Sequence, residues 1–484
     1  MNRLITGKVA IVIVLAALSF FVIYKAVHIP ITFDESSSFG LCEQPVWQIM
    51  MNQNWDGSPS NWPNNHILNT ILMKYSSAMF GTQPWALRLP NILAFILFGL
   101  GMYLLARRYF SDSLWLLFVP VILMFGNPYL LDFYSLARGY GMGCAFMACS
   151  ILGLLTYTSS HQMRWYYIAT IFAGLALYAQ FTFLLYWLAI QIILFGILVL
   201  EGLQGRRIWH ELLATGIVAL IFAGLCWYPL LHTQKGISHD FPTSGGFFDI
   251  TILSSAANFI YTKKTAGLYT EVLSWIAVGI VIISGIYCLK KAYKDGKQTF
   301  TDPLTLLFMT LILVWAINML QANIFHSMYP GQRTALIYYV LFAFVLMFLI
   351  RDMIAGDVIG AKVLTSVLVI FFIVNFYRAV NLKSVREWSY DAYTYDVVNY
   401  IDTYRQKHPE AKIGLKLGGH FFPSFFYYHY MNYNKLRWLD MVTRFDTVTQ
   451  PLFFYGTAEE RPIFKNYIPV QIFGPDSQML MMHR

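Results

Sequence analysis

The chain has 484 residues, of which 57% are hydrophobic and 12% charged, with a formal net charge of +9. A soluble domain carries about 25% charged residues, so a water-soluble protein of this size is excluded. The basic residues sit in short links between apolar runs, which sets topology and meets anionic lipid heads, and argues against nucleic-acid binding.

Apolar runs of the length a membrane helix needs, about 20 residues, recur along the chain. The spacing predicts about eleven spans, near Val9–Tyr24, Trp85–Ala106, Leu114–Leu131, Tyr140–Tyr157, Trp165–Gln180, Phe181–Leu200, Leu212–Leu231, Tyr269–Leu289, Leu304–Gln321, Thr334–Ile350 and Val363–Val380. The N-terminal basic residues and apolar stretch resemble a secretion signal, but no small-residue cleavage site follows before Lys25, so the segment reads as a retained anchor. Arg3, Lys8, Arg107, Arg108, Arg164, Arg206, Arg207, Lys290, Lys291, Arg351 and Lys362 fall in every second link, the positive-inside pattern. The alternate links then lie outside: the long Lys25–Pro84 loop, Asp132–Gly139, the turn at Gln180, His232–Leu268 and Ala322–Arg333, with the tail after Asn381.

Within the first outer loop, His66–Phe80 has apolar residues at helical spacing but is too short and polar to span. It is expected to lie along the interface as an amphipathic helix, with Trp47, Trp55 and Trp62 in the same aromatic belt. Of the five cysteines, Cys144, Cys149, Cys226 and Cys288 fall in spans and Cys42 outside, so neither a disulfide framework nor zinc spacing follows. The tail 381–484 is more polar and is expected to form a small extracytoplasmic α/β domain, beside a membrane domain of 1–380. Helices are expected at Tyr395–Lys407 and Pro423–Tyr433, and a strand at Lys412–Leu417 ended by Gly418-Gly419. The aromatic run from Phe421 to Tyr430 is rich enough to bind sugar, although such runs are more often core or membrane-contacting surface. The fold class is therefore an all-α polytopic membrane protein with a small C-terminal α/β domain.

The residues able to carry chemistry gather on the outer face. Asp34 and Glu35 follow the first span directly, and adjacent carboxylates at a lipid boundary usually mark a functional site. The structural alternative is a helix cap or a water-facing pair. Nearness to lipid and to each other raises the pKa of one of them, which suits a general base for a hydroxyl. His66 opens the interfacial helix, whose amino end favours anions. Arg138 and Arg333 are outer arginines against the positive-inside bias; each is a snorkelling side chain, a partner for Asp34 or a clamp on a phosphate. Lys235 and His239 are weaker candidates for the same anion, and Tyr140 and Tyr329 complete a substrate pocket. Two arginines, a histidine and two acids on one face suit an anionic lipid head group.

A family resemblance rests on ordered short motifs after Asp34-Glu35: Asn65-His66-Ile67-Leu68, Phe80-Gly81, Trp85-Ala86-Leu87-Arg88-Leu89-Pro90, Leu104-Leu105-Ala106-Arg107-Arg108, Ala137-Arg138-Gly139-Tyr140, Tyr178-Ala179-Gln180-Phe181 and Gln332-Arg333-Thr334-Ala335-Leu336. Over roughly residues 5–350 the order resembles the GT-C-fold glycosyltransferases of the protein-O-mannosyltransferase and aminoarabinose-transferase branch. The resemblance implies transfer of a sugar from a polyprenyl-phosphate carrier, with Asp34 and Glu35 catalytic and His66, Arg138 and Arg333 at the matching positions. Two departures stand out. Ile67 and Leu68 occupy positions where the family often has prolines, and Leu136 stands where an acid often precedes the Ala-Arg element.

The chemistry agrees. A sugar on a lipid phosphate already has a good leaving group, so it needs cations for the departing phosphate and one base for the acceptor hydroxyl. Direct displacement inverts the anomeric centre. A divalent metal ion (Mg, Mn or Zn) at Asp34 or Glu35 stays open, and no other cofactor is implied. The expected partners are the polyprenyl-phosphate sugar, an acceptor protein, lipid or glycan, and membrane lipids. A bacterial inner membrane is the expected location, with the site on the periplasmic side. The competing reading is a transporter or flippase of lipid-linked sugars, but the notable charges sit at span ends and no internal repeat is evident. A glycan polymerase or ligase would share the donor without the early acidic pair.

Overall fold

The computed structural model describes residues 2–60, 65–240, 245–431, 438–443, 451–463, 465–474 and 478–483. In chain order the helices are α1 (Asn2–His28), α2 (Phe33–Cys42), α3 (Val46–Met50), α4 (Ile67–Phe80), α5 (Pro84–Tyr109), α6 (Leu114–Phe125), α7 (Pro128–Asp132), α8 (Gly139–Ser160), α9 (Met163–Ala179), α10 (Leu184–Leu203), α11 (Trp209–Asp240), α12 (Leu253–Phe259), α13 (Leu268–Asp295), α14 (Pro303–Phe325), α15 (Leu336–Ala355), α16 (Ala361–Ala379), α17 (Thr394–Lys407) and α18 (Phe422–Met431). Among the described residues, nine helices are long and apolar enough to cross a bilayer.

Each of the eleven expected spans is helical, but two are too short to cross alone. The 12-residue α6 and the 17-residue α9 rise only about 18 and 26 Å at 1.5 Å per residue, against a hydrocarbon core of about 30 Å. The run 114–131 breaks at Gly126-Asn127-Pro128, where the Asn127 side chain accepts from Tyr129 and Leu130 and restarts the chain as α7. Polarity gives no sign of that break, because the residues on either side are equally apolar.

The centre of the bundle is α8, whose apolar window is 94% buried. Its small residues explain why. A Cβ on Gly153 would come within 2.8 Å of the Ala169 nitrogen and 2.9 Å of the Trp165 oxygen, so α9 lies directly against it. In lipid such close packing, rather than hydrophobic burial, holds helices together. Arg138, the residue before α8, is thereby fully buried at that helix's amino end. By contrast α11 and α13 are only 17% buried over their apolar windows and face outward.

The short helix α4 is turned the opposite way to a soluble surface helix. Leu72, Tyr75, Met79 and Phe80 are exposed, while Asn69, Thr70 and Ser76 face inward. Those polar groups are paired: Asn69 donates to the Ala137 carbonyl at 3.0 Å and accepts from Asn91 at 2.6 Å, and Ser76 donates to the Ala86 carbonyl at 2.6 Å. The arrangement fits the expected interfacial helix, with Trp47 and Trp55 exposed nearby; Trp62 lies outside the described residues.

The tail forms a mixed five-stranded sheet of β1 (Gly414–Leu417), β2 (Asp440–Thr443), β3 (Phe453–Gly456), β4 (Tyr467–Phe473) and β5 (Gln478–His483), in the order β2-β1-β3-β5-β4. β1 pairs in parallel with β2 and β3, and β5 runs antiparallel between β3 and β4. Its core includes Val397, Ile401, Leu415, Phe421, Phe425 and Tyr455, so the aromatic run is largely core. The second expected helix is seen as far as Met431; 432–437 lie outside the described residues. Val385 and Trp388 belong to the bundle's core instead, so residues 381–393 link the two parts.

Candidate active site

The turn after α1 carries α2 inward, and both acids lie in its first turn. Asp34 is 5% exposed and Glu35 0%. Adjacent residues on a helix are about 100° apart, so the two carboxylates face different surroundings.

Asp34 faces cations. Its Oδ2 lies 3.3 Å from Arg138 Nη2 and 3.3 Å from Arg333 Nη2. Arg138 also donates to the Asp34 carbonyl at 3.2 Å and to Ser38 Oγ at 2.8 Å, which fixes its guanidinium against α2. Arg333 comes from the 3-10 turn Gln332–Ala335 ahead of α15. Its Nε donates to the Tyr140 hydroxyl at 3.2 Å and its Nη1 to Glu387 at 3.3 Å, and it stacks over Trp388 at 5.3 Å. Glu387 in turn accepts from the Tyr129 hydroxyl at 2.8 Å.

Glu35 is fully engaged. Arg88 Nε and Nη2 grip its two oxygens at 2.8 and 2.7 Å, the Ala137 N–H donates at 2.6 Å, and Thr32 donates from its N–H and hydroxyl at 3.0 Å each. Burial alone would raise its pKa. The Arg88 charge and fork, with the bonds from Ala137 and Thr32, outweigh burial and hold it below the usual carboxylate range. This corrects two expectations. Glu35 is not a raised-pKa base, because a buried guanidinium outweighs the lipid boundary, and it has no oxygen left for a metal or substrate. Asp34 sits between two arginines, which also repel a cation. Among the described residues no group of three or more His, Cys, Asp or Glu is placed to hold a metal ion.

His66 is brought to the same place, beside Tyr140 with ring centroids 4.8 Å apart. One ring nitrogen donates to the Ala179 carbonyl, and Nε2 is buried with no hydrogen-bond partner. Burial first, then the charges of Arg138 and Arg333, pull its pKa well below the usual imidazole value. With the site as it stands the ring is neutral, and its unpartnered Nε2 offers a lone pair to a hydroxyl. Gly139 permits this approach, since a Cβ there would lie 2.0 Å from the Ala179 oxygen and 3.0 Å from His66 Cβ.

Of the sequence candidates, the structure brings together Asp34, His66, Arg138, Tyr140 and Arg333. Tyr329 packs edge-on against Phe247 at 5.7 Å. Lys235 and His239 fall near the end of α11, where the side chains lie outside the described residues. Sequence reading missed Arg88 and Glu387. An arginine four residues into an apolar span was a usable signal for the first. Glu387 gave none, because it reaches Arg333 from a polar tail beyond the last span.

Residues 67–228 match the family model described as dolichyl-phosphate-mannose-protein mannosyltransferase. Within that stretch the match agrees with the family resemblance. The matched stretch runs from α4 into α11 and holds Arg88 and Arg138, while Asp34, His66 and Arg333 lie outside it. Two crystal structures of ArnT from Cupriavidus metallidurans are similar in outline. The one bound to undecaprenyl phosphate shares 11% identity over 97% of each chain, with a TM-score of 0.40; the apo one shares 12% over 98% of each chain, with a TM-score of 0.42. No curated protein matches the chain.

Proposed function

We propose that this chain is a membrane glycosyltransferase that moves a sugar from a polyprenyl-phosphate donor to an acceptor hydroxyl, with inversion and with Asp34 as the base. The observation that carries the reading is the Asp34 carboxylate set 3.3 Å from two arginines, Arg138 and Arg333, at one end of the bundle.

In the resting state the Asp34 carboxylate lies between both guanidinium groups. An arriving donor phosphate takes over much of their charge and releases the carboxylate towards the acceptor. The acceptor oxygen then attacks the anomeric carbon as its proton passes to Asp34. The bond from that carbon to the phosphate oxygen breaks, and the phosphate leaves against Arg138 and Arg333. Neutral His66 accepts from a hydroxyl of the sugar or acceptor. Glu387 and the Trp388 ring hold Arg333 in place.

The orientation follows from charge. Arg107 and Arg108 end α5 at the pole opposite Asp34, as Lys294 ends α13 opposite the start of that helix. By the positive-inside bias that pole is cytoplasmic, and the Asp34 end opens to the periplasmic side of a bacterial inner membrane. Residues 1–380 then form the transferase domain and 381–484 an extracytoplasmic domain. The acceptor is a protein, lipid or glycan hydroxyl.

The test is sugar transfer from a polyprenyl-phosphate donor by purified protein. Asp34→Asn is expected to lower the rate by about 10²–10⁴-fold, the range a positioned base supplies, with unchanged elution on gel filtration. Equal rates would remove Asp34 from the mechanism.

A further inference from the structure

A cavity of about 600 Å³ opens between the α12–α13 link and the end of α16, lined by Tyr261, Thr262, Lys264, Tyr269, Arg378 and Asn381 among others. It contains none of the Asp34 cluster. Its volume lies within the range of small-ligand sites.

The charges around it run against topology. Residues 381–391 lead from the end of α16 straight to Glu387 on Arg333 and Asp391 on α2, so this rim is at the Asp34 end. The positive-inside bias therefore disfavours cations here. Yet Lys263 and Lys264 in the α12–α13 link, Arg378 in the last turn of α16 and Lys383 just after it are all exposed. None of the four forms an ion pair among the described residues. Glu271, the acid next in sequence to the cavity edge, pairs with neither lining cation.

The walls are held in place. Arg378 donates to the Ile260 carbonyl at 3.3 Å, Lys263 to Ser389 at 2.7 Å, and the Tyr261 hydroxyl to Asp132 at 2.6 Å. The lining residue Tyr269 is 81% exposed, and Leu268 and Tyr377, next in sequence to the lining residues Tyr269 and Arg378, are 73% and 83% exposed. Cations over a polar floor beside exposed apolar side chains at a bilayer edge match one kind of molecule, an amphiphile with an anionic head. We infer that this cavity binds the phosphate head group of an anionic membrane lipid, with Lys264 and Arg378 on the phosphate and the acyl chains along the Leu268–Tyr377 rim. The site is separate from the one proposed for the sugar donor, and it stands or falls without sugar transfer.

The test is native mass spectrometry of the delipidated full-length protein, titrated with phosphatidylglycerol, phosphatidylcholine or inorganic phosphate. Wild type is expected to retain phosphatidylglycerol in preference to phosphatidylcholine. Lys264→Gln with Arg378→Gln should weaken that binding by about tenfold or more, as two surface cations near an anionic lipid imply. The pair Arg107→Gln with Arg108→Gln, at the opposite pole, should leave it unchanged. Both exchanges keep exposed polar side chains, and unchanged melting temperatures would confirm intact folds. No preference for the anionic lipid, equal loss in both double variants, or displacement of the lipid by millimolar inorganic phosphate would each overturn the assignment.

Discussion

Asp34 and Glu35 are neighbours in sequence with opposite fates. Glu35 meets a buried guanidinium fork and two backbone N–H groups, whereas Asp34 meets two arginines shared with other partners. Removing one member of a buried pair leaves the other charge uncompensated. Glu35→Gln is accordingly expected to destabilise the protein by about 3 kcal/mol. The sign of the pH effect follows from its lowered pKa. A depressed carboxyl contributes stability that is complete above its unfolded value and disappears as pH falls through the folded one. Denaturant unfolding in detergent, at neutral and acid pH, would measure both; a Gln variant as stable as wild type would remove the anchor role.

At the scale of elements, the site depends on where α8 starts. Gly139 lets that start lie against Ala179 and His66, so α8 and α9 set the ring's position together. Gly139→Ala has no room for its methyl group against a backbone oxygen. Overpacking of this kind typically costs about 1–3 kcal/mol, and it should separate His66 from Ala179. A lower melting temperature with a fall in transfer rate is the expected result, and wild-type values for both would contradict the packing argument. The eleven apolar runs were legible because helix length and polarity report directly on lipid. The breaks between α6 and α7 and before α10 were less so, since Gly126, Asn127 and Gln180 act through local backbone bonds rather than polarity.

At the scale of the molecule, the tail domain docks on the helix that carries the acids. Phe33 N–H donates to Asp391 at 2.8 Å, Ser424 donates to the same carboxyl at 2.7 Å, and Ile31 N–H donates to the Tyr428 hydroxyl at 2.7 Å. Asp391 is 1% exposed. Burial lifts its pKa to about 8 against the bonds from Ser424 and Phe33, with the charges of Glu35 and Asp34 adding to the rise. A carboxyl raised in the folded state is protonated there while the unfolded chain has already ionised, so stability falls as pH rises towards 8. Docking should loosen over that window, seen as faster amide exchange in α2 and α18 at pH 9 than at pH 6.5 after correction for intrinsic rates. Asp391→Asn should remove most of the difference, and a variant with the same pH dependence would exclude Asp391 as its source.

From its sequence alone this protein is a helical membrane protein with its charges sorted by side, because lipid punishes polar groups wherever they fall and so writes topology into composition. Asp34, Arg138 and Arg333 were legible for the same reason: a charge at the rim of an apolar span needs an explanation. Which acid is open and which is locked was decided only by tertiary structure. Arg88 reaches Glu35 across 53 residues and Glu387 reaches Arg333 across 54, and no local pattern encodes a partner that the packing of separate helices must deliver.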